Sequence, residues 1–204
     1  MKTRILILMI AAIAVTLPVA AQAQQLFDFL GQANLPAGQG GILSMYSIVS
    51  DPAPATTPLP LDFANFEYTL VIEGLVLDVD GAPQEYSGGV IAIYEDAATA
   101  ADYAATGTFT DGTAILSGTF DYLDRSMFTS TLGTAGGQVD WTGGTMLDMI
   151  APDDRVDWPF FTGINGMASQ VQPGFDERWD GKVEPELPIV PAEDMNWGEV
   201  KSLY

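Results

Sequence analysis

From Ile42 to Val183 the chain repeats one pattern: short runs rich in β-branched and aromatic residues, each closed by glycine, proline or an Asp-Gly pair, at intervals of about ten residues. Such punctuation leaves no room for long helices. The runs also lack the helical segments that must separate the strands of a parallel sheet, so the sequence predicts an all-β fold, an antiparallel β-sandwich or an irregular β-barrel, with one short helix near 97–104.

The clearest local signals lie between Gly88 and Phe120. Val90–Tyr94 reads as a buried strand, Asp96 caps the alanine-rich run Ala97–Ala104, and Thr106–Thr110 and Thr113–Phe120 flank Asp111-Gly112 as a two-residue hairpin. On either side the chain is less regular. Residues 24–41 read as a lead-in with a turn around Leu26–Leu30, Ile42–Val49 as a strand, and Asp51–Pro60, with four prolines, as an extended loop. Phe63–Val79 alternates apolar and polar residues until Gly74 shifts the pattern, which predicts a bulge or a corner, and Asp80-Gly81-Ala82-Pro83 closes it as a turn. Strands Met127–Leu132 and Gln138–Thr142 are expected around a Gly133–Gly137 loop, followed by Met146–Ile150. After the acidic loop Ala151–Asp157 come a strand at Trp158–Gly163 and a last hairpin in Phe175–Val183 turning at Asp180-Gly181.

The ends of the chain read differently from its body. Lys2 and Arg4 precede the apolar stretch Ile5–Val19, and Ala21-Gln22-Ala23 has the small-x-small pattern of a cleavage site, so residues 1–23 are expected to be a secretory signal peptide. The predicted organisation is then a single domain over 24–183, a proline-rich acidic linker over 184–195, and a C-terminal peptide over 196–204. No membrane span is expected after cleavage. The product is placed outside the cytoplasm, as an extracellular, cell-surface or periplasmic protein. Removing Lys2 and Arg4 leaves 5 basic against 27 acidic residues, a net charge of −22. Nucleic acid and anionic lipid are poor partners for such a surface.

The chain contains neither histidine nor cysteine. Ser-His-Asp and Cys-His nucleophiles, histidine-ligated zinc and disulfides are thereby excluded, and stability must come from packing. A carboxylate-dependent glycoside hydrolase stays open, because it needs only two acids flanking a cleft. Calcium is the better chemical candidate, since closely spaced acids in turns supply the oxygen ligands of a hard cation. Two clusters qualify: Asp78, Asp80 and Glu85, and Asp153, Asp154 and Asp157. Trp158 and Trp179 are candidates for a glycan-binding platform in a calcium-stabilised carbohydrate-binding module.

In the last segment, Asn196 can cap a short helix with Glu199 reaching back, which places Trp197, Val200 and Tyr204 on one face. A helix this short must dock to persist, either on a second copy of the chain or on another protein of the cell envelope or matrix. The ending W-G-E-V-K-S-L-Y, Trp197–Tyr204, resembles the W-G-x-[IV]-K-x-[LM]-[YF] tails of assorted secreted bacterial proteins, although the chain stops at Tyr204 without a following basic residue. The body, with IYED, FTDGT and DWTGG between Gly88 and Gly144, is similar in style to uncharacterised secreted bacterial β-proteins, some of them surface-sorted. That resemblance implies envelope or extracellular residence and implies no activity. The expectation is a non-catalytic exported structural or adhesive protein.

Overall fold

A computed structural model describes residues 27–50 and 59–185. The predicted signal peptide, most of the proline-rich loop and the peptide over 196–204 lie outside the described residues. Eight strands run in chain order: β1 (Phe27–Asn34), β2 (Ile42–Ser50), β3 (Glu67–Val79), β4 (Gln84–Asp96), β5 (Thr113–Met127), β6 (Leu132–Gly143), β7 (Trp158–Asn165) and β8 (Glu177–Val183). Each pairs antiparallel with the next. β8 then returns to β1, with Phe27 opposite Val183 and Ala33 opposite Glu177, and the sheet closes into an up-and-down barrel.

Closure corrects the sandwich expectation in favour of the barrel. A single wall with no open edge leaves no strand pairing unsatisfied. The anticipated irregularity at Gly74 is present: its φ of +78° interrupts β3, and the β2–β3 register shifts between Leu43 and Met45. That bulge bends a continuous wall instead of moving a strand between two sheets.

Alternation along the strands sorts the side chains. Phe27, Phe29, Met45, Leu70, Ile72, Ile93, Leu116, Phe120, Val139, Phe160 and Val183 point inward and are buried. The centre is packed through ring contacts, with Phe29 stacked on Phe160 at 5.3 Å and Trp141 edge-on to Trp158 at 5.7 Å. Each large side chain removed from water in this way contributes about 1.5–3 kcal/mol, so the interior supplies the stability that no disulfide can. The outer face carries Asp28, Glu73, Asp121, Asp124, Asp140, Arg178, Asp180 and Lys182 along the strands. Exposed Leu30, Ile42, Val90, Tyr122 and Phe161 stand among them on the same outer face.

The two ends differ. Short connections (35–41, 80–83, 128–131 and 166–176) join strands at one end, and longer ones (51–66, 97–112 and 144–157) at the other. At the long-loop end Leu59 is buried, and Leu61, Phe63 and Phe66 pack against the core. The Tyr68 hydroxyl holds this cover, accepting from the Asp62 amide at 2.9 Å and donating to Glu95 at 2.7 Å.

Several local expectations are overturned, each for a tertiary reason. No helix forms over 97–104; the Asp96 carboxylate accepts the Ala98 and Thr99 amides, Glu67 takes the Ala101 amide and Thr108 takes that of Asp102, so these donors never enter a helical ladder. Thr106–Phe109 is a single 3-10 turn rather than a hairpin strand, because buried Phe109 is drawn onto the outer wall, where Thr69 bonds its carbonyl. The glycines of 133–137 lie within β6 instead of a loop, and residues 128–131 form the turn, closed by the Phe128 amide donating to Leu132. At Gly137 a Cβ would strike the Tyr122 carbonyl, so the close approach of β5 and β6 requires glycine there. Asp180-Gly181 is strand, not turn, because Trp179 and Val183 both point into the core, and Phe27–Leu30 of the expected lead-in turn are strand in β1, whose Phe27 and Phe29 are equally buried. Met146–Ile150 holds a 3-10 turn, Leu147–Met149, in place of a strand.

Candidate functional site

On the outer wall near the long-loop end, three carboxylates converge. Asp121 projects from β5 and Asp140 from β6, and Asp157 ends the loop before β7; one carboxylate oxygen of each lies within 4.8 Å of the others. Adjacent strands place the first two side by side, as Thr119 opposite Asp140 and Phe120 opposite Val139 fix the register before it shifts towards Tyr122. The loop is held by the Trp141 amide donating to the Arg155 carbonyl at 2.7 Å and by the Trp158 indole donating to the Asp154 carbonyl at 2.6 Å. Asp157 adopts φ of +59°, a left-handed conformation unusual for a residue with a side chain, and its amide donates to the Asp140 carboxylate at 2.9 Å.

The electrostatics are those of like charges held together. Burial, and after it the charges of Asp140 and Asp157, push the Asp121 carboxyl above its usual range. None of the three makes an ion pair among the described residues; nearby Arg155 donates instead to the Ile150 carbonyl and to Asp148. Carboxylate oxygens within 4.8 Å of one another fall inside the span of one calcium ion's ligand shell, whose bonds are about 2.3–2.6 Å long. The arrangement can share a hard cation or a proton.

The sequence candidates divide against this geometry. Asp157 belongs to the trio, whereas Asp153 and Asp154 stand outside it in a 3-10 turn, Asp154 contributing only its carbonyl to Trp158. Asp78, Asp80 and Glu85 do not converge: the Asp78 carbonyl accepts from Gln39, and the Asp80 carboxylate accepts from Gln84 across its turn. Trp158 and Trp179 are inside the barrel, 2% and 0% exposed, and a ring enclosed in the core cannot serve as a surface platform. Trp197, Val200 and Tyr204 lie outside the described residues. Asp121 and Asp140 escaped the sequence reading, because neither sits in a dense acidic run; the available signal was an aspartate at an outward position in each of two successive strands.

A second polar constellation occupies the barrel interior near the short-turn end. Arg125 donates through Nε and Nη2 to Glu177 and through Nη1 to Gln84 at 2.6 Å, and Glu177 also accepts the Trp179 indole at 3.1 Å. Tyr86 donates to Gln84 at 3.2 Å, and burial pushes its hydroxyl up to about 12. Each charged member is paired and buried, so the group acts as an internal tie between β4, β5 and β8.

Fold and surface together define an all-β, closed eight-stranded antiparallel barrel with a packed interior and an acidic outer cluster. Comparison with protein-family models, with curated proteins and with solved structures gives no match.

Proposed function

We propose that the chain is a non-catalytic exported protein with a structural or adhesive role at the bacterial cell surface, in a matrix or in a secreted assembly. In this reading the barrel is a rigid scaffold, and Trp197–Tyr204 is the element that docks on a partner or on another copy. The observation that carries it is the packed interior: where ligand-carrying barrels keep a cavity, this one has the rings of Phe29, Phe120 and Trp179 each packed on Phe160. Binding work then falls to the outer wall and the tail. Deleting Glu193–Tyr204 is expected to release the protein from the surface or assembly while export continues. Unchanged retention would sink the docking role.

A calcium-stabilised version of this reading is favoured by the convergence of Asp121, Asp140 and Asp157. The cation would tie β5 and β6 to the loop before β7 and offset the repulsion among the three carboxylates. A carbohydrate-binding module remains the alternative of a different class, on surface residues other than Trp158 and Trp179. The carboxylate glycosidase is the weaker alternative, since the trio lies on a convex wall with its acids closer together than a hydrolytic pair separated by a sugar.

A further inference from the structure

In a chain with 27 acidic residues, two stretches carry no charge at all: residues 126–139 and 158–175 contain no aspartate, glutamate, lysine or arginine. Pairing of β6 with β7 lays them side by side, so one face of the outer wall, with the turns that end it, is uncharged. It is also apolar: Phe128 is 71% exposed and Phe161 51%, and Leu132 and Met167 stand exposed with them. The centre of the face is low. Thr134 lies opposite Gly163 and Gly136 opposite Phe161, between Leu132 at the short-turn end and Phe161 itself. Barrel packing does not demand these two glycines. A Cβ on Gly136 would come no closer than 3.8 Å to a non-neighbouring atom and one on Gly163 no closer than 3.7 Å, and neither residue has a positive φ. Glycine weakens a strand, and where the interior does not require it, it suits a close approach to the backbone from outside.

The course of the chain beyond the barrel points to what covers this face. β8 ends at Val183 beside β7, with the Glu184 amide donating to the Pro159 carbonyl at 3.2 Å, so residues 186–204 continue from the long-loop end of the same face. Pro185, Pro188 and Pro191 favour an extended path of about 3.1 Å per residue, directed away from the short-turn end where Phe128, Leu132 and Met167 lie. A chain's own face is then behind its tail, and the face of a second copy is in front of it. Trp197–Tyr204 matches that face in charge and in length. The side-chain charges of Glu199 and Lys201 cancel, and Trp197, Val200 and Tyr204, on one side of a helix, span about 10 Å. Leu132 and Phe161 stand four residues apart along the paired strands, about 13 Å, with the glycine floor between them. Elsewhere the acidic surfaces of two copies repel each other.

We propose that the segment Trp197–Tyr204 of one copy docks on the uncharged β6–β7 face of the next, a head-to-tail contact that extends into an open assembly. This rests on the reading of that segment as a docking element and names what it docks on. The test follows the size of the full chain, purified after export, by sedimentation velocity over a range of concentrations at high ionic strength, where repulsion between copies is screened. Growth with concentration is expected. Trp197→Ala, which alters the tail, and Phe128→Ser with Phe161→Ser, which alter the face, should each raise the dissociation constant by at least about tenfold. Mixed together, these two proteins should form one-to-one pairs and nothing larger, because only the intact tail of one meets the intact face of the other. Gly163→Thr fills the floor and should weaken association as much while the melting temperature holds or rises, which separates lost docking from lost folding. Association indifferent to Trp197→Ala, or a mixture without pairs, would overturn the proposal. A chain that stays monomeric but is still released from the surface by deleting Glu193–Tyr204 overturns this inference alone and gives the tail a different protein as its partner. A monomeric chain whose retention survives that deletion overturns the docking role as well.

Discussion

Arg125 and Glu177 illustrate how much a single residue can carry inside this barrel. Their side chains are 9% and 5% exposed, and the Glu177 carboxylate also accepts the Trp179 indole. Removing one partner strands the other without water or counter-charge. Glu177→Ala is therefore expected to cost about 3–5 kcal/mol in denaturant unfolding, because it leaves a buried guanidinium and an unpaired indole. The double change Arg125→Met with Glu177→Leu should recover most of that loss, since a buried pair replaced by apolar groups of similar volume is often neutral. If Glu177→Ala costs less than about 1 kcal/mol, water reaches the pair and the interior is not sealed at that end. The indole of Trp141 makes the contrast: its Nε1 is buried with no partner among the described residues, so its ring is held by packing against Phe27 and Trp158.

Between elements, the acidic trio gives the sharpest expectation. The Asp121 carboxyl titrates above its ordinary value in the fold, so its protonated form contributes stability that is fully present below the unfolded value and lost as pH rises through the folded one. In chelator, the melting temperature should carry a downward step just above the normal carboxylate range. Asp121→Asn should remove that step. Calcium should raise the melting temperature of the parent by more than matched magnesium or sodium, since binding to the native state contributes about 2.7 kcal/mol at a hundredfold excess over Kd, and should raise the Asp121→Asn protein less. Identical responses of the two proteins would show that the trio takes no cation. Much of this architecture is legible in the sequence at the level of elements: Ile42–Val49, Val90–Tyr94 and Trp158–Gly163 fall within β2, β4 and β7, and Gly74 announces its bulge. The errors concentrate where long-range contacts override local preference. Asp96 looks like a helix cap and does accept two amides as a cap would, yet the next donors go to Glu67 and Thr108, residues that no local window brings together. The trio was half-legible for the same reason, Asp157 through its acidic loop, Asp121 and Asp140 only once β5 and β6 are paired.

At the scale of the whole molecule, the interior and the surface answer to different demands. The interior makes a closed, filled cylinder without covalent help, and the surface, on a chain of net charge −20, offers an acidic trio. A scaffold of this kind should fold independently of whatever the tail engages. Trp141, Trp158 and Trp179 report on that directly, because all three indoles are enclosed by the barrel. The decisive measurement is thermal unfolding followed by tryptophan emission, comparing the chain ending at Pro185 with the full chain. The scaffold account predicts one cooperative transition in both, with midpoints within about 2 °C. A truncated chain that melts more than about 10 °C lower, or without cooperativity, would show that the tail is the last piece of the core and would contradict the separation of scaffold from docking element.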